Sequence, residues 1–273
     1  MQFTRQPFYL DGTKGKLFCI FFEPETNLEA ITLIFPPFAE EMNKSRRMLS
    51  QQAGLLAGLG QSTLIFDLYG TGDSDGDFSE AEWGIWQDDI TLILDFIITR
   101  GFKRINILAP RMGALLTTQI KAQLDCIKKV VYWQPVTNGE LLLNQFYRLK
   151  LASDMLGKET GLTLKQIKEQ VAQGNSIEIG GYNLNPALAA GLSKTKLDEI
   201  NVSLLKDCHW IEILPSEDKS VPPGSQRIID SISNSGAGVS VHSVVGPQFW
   251  SAVELVDIPE LLTLTSSILI EQG

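Results

Sequence analysis

The chain has 273 residues, 44% of them hydrophobic, with 23 Lys and Arg against 32 Asp and Glu for a formal net charge of -9. That length and apolar content suffice for one large α/β domain with an elaborated insertion, and the acidic balance argues against a sequence-independent grip on nucleic acid or an anionic membrane surface. No window approaches the roughly 18 apolar residues of a membrane helix, and the opening MQFTRQPFYLDG lacks a basic run followed by an apolar stretch, so a cytoplasmic protein without a membrane span is expected.

Residues 6–11 and 16–23 read as two strands of a hairpin joined by Asp11-Gly12-Thr13-Lys14-Gly15, a turn rich in residues that tolerate positive φ. ITLIFPP (31–37) follows as a buried strand, then a helix from about Asn43 to Leu59 and a second buried strand at 61–67. The alternation continues with a helix over 82–100, strand 105–109, helix 112–123 and strand 129–133, which predicts a mostly parallel sheet with helices on both faces. Residues 139–205 break the rhythm, with helical patterns over 140–156, 163–173 and 186–192 around a β-like stretch at 177–184, and are expected to form an inserted, mainly helical cap. The sheet resumes with strand 210–214, a helix over 224–233, strand 239–245 and a last helix from Pro259 to Glu271, so residues 1–138 and 206–273 would make the core.

In such a sheet, ligands gather beyond the carboxyl ends of the strands. The loop ILAPRMGALL (107–116) passes from strand to helix with Ala109 and Gly113 flanking Arg111, an altered form of the nucleophile elbow G-x-S-x-G. A guanidinium is not a nucleophile, so Arg111 forms no acyl-enzyme. A cation at a helix N-terminus is unfavourable without an anion close by. FPPFAEEMNKSRR (35–47) offers Glu40 or Glu41 as that anion, on a loop stiffened by Pro36-Pro37, while helix capping and a solvated charged face would equally account for these glutamates. A ligand's carboxylate or phosphate is the other way to satisfy Arg111.

DLYGTGDSDGDF (67–78) has the D-x-x-G-x-G-x-S-x-G run of many α/β hydrolases, with Asp67 and Ser74 structural and Tyr69 at a pocket mouth. ILPSEDKSVPP (213–223) puts Asp218 where that fold supplies a triad acid, and VVGPQFW (244–250) puts Gln248 where the histidine base would stand; glutamine is no base near neutral pH. His209 lies ahead of one strand and His242 within another, so both read as structural. Phe38, Met112 and Gln134 complete the residues expected to line the pocket. Cys19, Cys126 and Cys208 lie outside any C-x-x-C pattern and suit reduced thiols; no metal site or cofactor is expected.

PPFAEEMNKSRR, DLYGTGDSDGDF, PRMGALL, YWQPVTNGELLLNQFYRLKLA and GYNLNPALA together resemble the exosortase A system-associated hydrolases, the second of those two families, nearly end to end. The resemblance implies the α/β-hydrolase fold in a cytoplasmic bacterial protein encoded beside exopolysaccharide synthesis and PEP-CTERM sorting genes. It implies no activity, because the family's name rests on fold. Ala109-Pro110 departs from the Gly-Leu that similar sequences carry before the arginine, and proline restricts the residue ahead of it. Three readings stand at this point. One is a non-catalytic binder of an anionic or activated small molecule such as a sugar nucleotide or acyl thioester. The second is a hydrolase or transferase in which Glu40, Glu41 or Asp218 activates water and Arg111 polarises the substrate. The third is an interaction module acting through the cap; a homodimer or a pathway-enzyme partner is left open.

Overall fold

The computed structural model describes residues 2–25, 29–121, 124–156 and 162–270. In chain order, strands β1 (Phe3–Asp11), β2 (Lys16–Pro24) and β3 (Ala30–Ile34) lead to helix α1 (Glu40–Gly58) and β4 (Ser62–Phe66). Then come α2 (Trp83–Thr99), β5 (Arg104–Pro110), the short α3 (Gly113–Thr117) and β6 (Ile127–Trp133). An insertion follows, made of α4 (Gly139–Leu156), α5 (Leu164–Ala172), the two-stranded β7 (Ile177–Ile179) and β8 (Tyr182–Leu184), and α6 (Pro186–Ser193). The chain closes with β9 (Cys208–Leu214), α7 (Pro223–Asn234), β10 (Val239–Val245) and α8 (Pro259–Leu269). Glu271 and Gln123, expected as helix ends, lie outside the described residues.

Eight strands form one sheet in the order β1-β2-β4-β3-β5-β6-β9-β10. The β1–β2 hairpin is antiparallel, β2 pairs antiparallel with β4, and the rest are parallel. β3 is buried along its whole length and β5 along all but its first residue, as strands covered on both faces must be. Alternation sorts their side chains. Ile31, Leu33, Ile107 and Tyr132 pack beneath α2 and the insertion, while Ile34, Leu108, Val131 and Trp133 pack against α1 and α8.

Strand order also locates the site. From β3 the chain crosses through α1 to β4 on one side, and from β5 through α3 to β6 on the other. The loops after β3 and β5 therefore diverge and leave a crevice between them, the switch point at which open α/β sheets bind ligands.

Several boundaries differ from expectation, β1 starting at Phe3 and β3 ending at Ile34 among them, and two have a local cause. α1 begins at Glu40, three residues early, because Ala39 at φ 48 and ψ -125 turns the chain abruptly into the helix without a side-chain cap. α3 stops at Thr117, because the Thr117 and Thr118 hydroxyls donate to the carbonyls of Ala114 and Leu115 at 2.6 and 2.7 Å and the following backbone bonds tighten to three-residue spacing. Gly139 N–H to Thr195 O (3.0 Å) closes the insertion on itself, and Leu197 N–H to Thr137 O (2.9 Å) ties it to the segment that follows β6. A Cβ at Gly139 would clash with the Leu192 carbonyl oxygen. Gly139→Ala is therefore expected to lower stability by about 2–3 kcal/mol through overpacking at this junction, read as a drop in Tm and in the urea midpoint, whereas Gly174→Ala, with open space around it, carries only the strain of its left-handed backbone.

Candidate functional site

Arg111 occupies the turn between β5 and α3 with φ 52, in the left-handed region that a side chain rarely adopts. The turn is fixed from both sides, since Arg111 N–H donates to Trp133 O at 3.0 Å and Arg111 O accepts from Val136 N–H at 3.0 Å. Its small flanks have a steric cause: a Cβ at Gly113 would lie 3.0 Å from the Phe35 carbonyl oxygen and 3.1 Å from the Phe35 Cβ. Met112 is fully buried behind the turn.

The guanidinium meets three partners. Nη2 lies 3.0 Å from Glu41 Oε1, and Nε donates toward both Glu41 oxygens at 3.3 Å. Nη1 donates to the Gln134 carbonyl at 3.0 Å, and the Trp250 ring lies 4.6 Å beneath the guanidinium carbon. Glu41 stands in the first turn of α1, where the helix dipole favours an anion, while Arg111 stands at the start of α3, where the dipole opposes a cation. The pair relieves that opposition. Ala39, Arg111 and Gln134 are the three non-glycine residues at positive φ among the described residues; Arg111 and Gln134 directly follow β5 and β6, and Ala39 closes the loop after β3. Strain of about 1–3 kcal/mol at each is the kind of local cost that concentrates where a binding geometry is held.

The other charges of α1 are tethers between segments. Glu40 accepts from Tyr182 Oη at 3.1 Å and Asn43 Nδ2 at 3.2 Å, joining α1 to the insertion. Arg46 binds Asp67 at 2.9 Å, and Arg47 binds Asp257 through two bonds of 2.7 Å. Lys44 donates to the carbonyls of Ser251 and Ala252. Lys44 and Arg47 thereby hold the segment that carries Trp250. Phe38 is buried in an aromatic cluster, with Phe146 of α4 at 5.1 Å and Phe78 at 5.7 Å, and Phe78 in turn meets Tyr182 at 5.2 Å.

The sequence-selected residues divide accordingly. Arg111, Glu41 and the Gln134 backbone converge, but the Gln134 side chain accepts from Ile213 N–H at 2.6 Å, tying β6 to β9. Asp218 is exposed, held by Ser216 and Lys219, which keep its carboxyl below the usual range. Gln248 is exposed and its carbonyl caps Ser251 and Ala252. Tyr69 is buried, its hydroxyl directed to Glu80 at 3.4 Å. His209 and His242 stack at 5.3 Å and share a 3.0 Å hydrogen bond, with His209 also bound to Asp207 at 3.0 Å; burial and the neighbouring imidazole lower the His242 pKa. Trp250 escaped selection, and the aromatic pair Phe249-Trp250 beside Gln248 was the signal available. Burial pushes the thiols of Cys19 and Cys208 up to about 12, so neither is a ready nucleophile. No group of three or more His, Cys, Asp or Glu that could hold a metal occurs among the described residues, and no helix there is long and apolar enough to cross a membrane.

Three solved structures are similar along almost the full chain. Est1E from Butyrivibrio proteoclasticus, described with bound ferulic acid, is 16% identical with a TM-score of 0.60 over 96% of each chain. The α/β hydrolase GrgF from Penicillium sp. sh18 is 14% identical with a TM-score of 0.63 over 97% of this chain and 98% of its own. An α/β serine hydrolase homologue from Coxiella burnetii is 15% identical with a TM-score of 0.57 over 99% of this chain and all of its own. The chain has the α/β-hydrolase fold. No family model matches it, and no curated protein does.

Two outcomes follow from this geometry. The Arg111 and Glu41 side chains are 13% and 22% exposed, so solvent screens the pair only in part. Glu41→Gln should cost about 1–2 kcal/mol by leaving the guanidinium unbalanced, and a double-mutant cycle with Arg111→Met should give a coupling near 1 kcal/mol in urea unfolding. Asp89 accepts the Tyr69 N–H at 2.9 Å through Oδ2, while its Oδ1 is buried without a hydrogen-bond partner among the described residues, and burial raises its pKa to about 6. The folded state thus holds a proton that the unfolded state releases near pH 4. This group's contribution is full below pH 4 and is lost as pH rises to about 6. Asp89→Asn should abolish that part of the slope in stability measured between those values.

Proposed function

We propose that this protein binds an anionic small molecule at Arg111 and does not perform serine-hydrolase chemistry. The observation that carries the reading is the built counter-ion: Glu41 at 3.0 Å, the Gln134 carbonyl and the Trp250 face supply the neutralisation and stacking that a carboxylate or phosphate ligand could take over in part. The acyl-transfer apparatus is incomplete on this reading. Arg111 stands where the fold places its nucleophile, Gln248 where a base is expected, and both imidazoles are engaged with each other. Glu41 then acts as a competing anion, so apparent affinity falls by the fraction of molecules in which Arg111 is paired internally. The insertion serves as the cap over this site, reaching it through Phe146 against Phe38 and Tyr182 against Glu40.

The biological setting we infer is that of the exosortase A system-associated hydrolases. PPFAEEMNKSRR, PRMGALL and YWQPVTNGELLLNQFYRLKLA support it, and it would make the ligand an anionic or activated intermediate of exopolysaccharide synthesis in a bacterial cytoplasm. The carboxylate-hydrolase reading has less behind it, because Glu40 is engaged with Tyr182 and Asp218 with Lys219.

A thermal-shift panel of carboxylates, phosphate monoesters, sugar nucleotides and acyl thioesters tests the proposal. A stabilising anion is expected that Arg111→Met no longer recognises and that Glu41→Gln binds about tenfold more tightly, the competing carboxylate being gone. A fluorophosphonate probe should leave the protein unlabelled. Turnover of any panel member, lost on Glu41→Gln, would overturn the reading.

A further inference from the structure

The insertion contains a cavity of about 630 Å³ bounded by α4, α5 and α6, and Arg111 is not among its walls. That volume lies within the range of small-molecule sites, roughly 300–1,000 Å³. Leu143, Val171, Ala187 and Ala190 give it apolar walls of mostly short side chains. Tyr147 of α4 lines the cavity, and its hydroxyl has no hydrogen bond to any described residue. Burial raises the Tyr147 pKa to about 12, which leaves the phenol a neutral donor. Lys168 and Lys194 also line the cavity. Lys168 is paired with Glu140 at 3.3 Å, whereas Lys194 has no ion pair with a described residue. Two ammonium groups against one carboxylate leave a net positive rim on a chain whose overall charge is -9.

An occupant must therefore be apolar along most of its length and anionic at one end. We propose that this cavity is a second binding site, for a single-chain amphiphilic carboxylate, a medium-chain alkanoate in chemical class. The chain lies along Leu143, Val171 and Ala190, and Lys194 and the Tyr147 hydroxyl donate to the carboxylate. The site goes beyond the anion site at Arg111 and does not depend on it. The two share α4, whose Leu143 and Tyr147 face the cavity while Phe146 packs on Phe38.

Calorimetric titration of the full chain with dodecanoate and dodecanol, each below its micelle-forming concentration, tests this. Dodecanoate should bind about tenfold more tightly than dodecanol, which lacks the charge. Lys194→Glu, at an exposed position, should weaken dodecanoate about tenfold and leave the alcohol unchanged. Ala190→Phe should abolish binding of both by filling the cavity. Arg111→Met should bind both as the unaltered protein does. The proposal is overturned if neither binds, if dodecanol binds as tightly as dodecanoate, or if Lys194→Glu is without effect. Loss of binding on Arg111→Met would also overturn it, because it would place the amphiphile at the other site.

Discussion

A guanidinium held in a left-handed turn at the centre of the sheet is the constraint around which this end of the molecule is arranged. Its backbone is locked between β5 and β6, so the side chain has little choice of direction and must find its counter-charge across the crevice to β3. Glu41 can meet it only because Ala39 turns the chain sharply enough to start α1 at once, which sets a carboxylate in the first helical turn, over the crevice. The unfavourable φ at Ala39 and the unfavourable cation at α3 are two sides of one arrangement, and neither is intelligible alone.

From the same helix start, the remaining charges radiate to elements far apart in sequence. Arg46 reaches the loop after β4, Lys44 and Arg47 reach the segment after β10, and Glu40 reaches β8 of the insertion. An exposed ion pair such as Arg47 with Asp257 contributes little, about 0–1 kcal/mol, whereas Asp67 beside Arg46 is buried. The buried rings of Phe38 and Phe146, with the half-buried Phe78 against them, add apolar cohesion between insertion and core, at roughly 1.5–3 kcal/mol for each buried ring. The apolar cluster holds the insertion down and the polar tethers set its angle.

The order of strands and helices was legible because buried parallel strands read as continuous apolar runs and the helices between them keep their own period. Helix ends were less so. The start of α1 has no Ser, Thr, Asp or Asn to announce it, and α3 looked longer because Thr117 and Thr118 fit a helical pattern until their hydroxyls capture the carbonyls behind them. At the site, the loops at the strand ends could be picked out from topology, and Arg111 stood out by the chemistry it lacks. The choice between Glu40 and Glu41 could not be read, since adjacent helical residues point about 100° apart and the rotation of α1 about its axis is set by packing. Trp250 was hidden for a related reason. Its approach to Arg111 depends on Lys44 and Arg47 gripping a segment more than 200 residues further along the chain, and no local pattern encodes that distance.

The Glu41 carboxylate has one more consequence, for design. Writing a serine in at 111 would rebuild the familiar elbow on paper, yet the new hydroxyl would face a carboxylate stripped of its partner, with no imidazole among its described neighbours to take its proton. An attacked carbonyl develops negative charge on its oxygen, and the field waiting for it here would be repulsive. Installing a nucleophile on this scaffold therefore begins on the other side of the crevice, with the removal of Glu41.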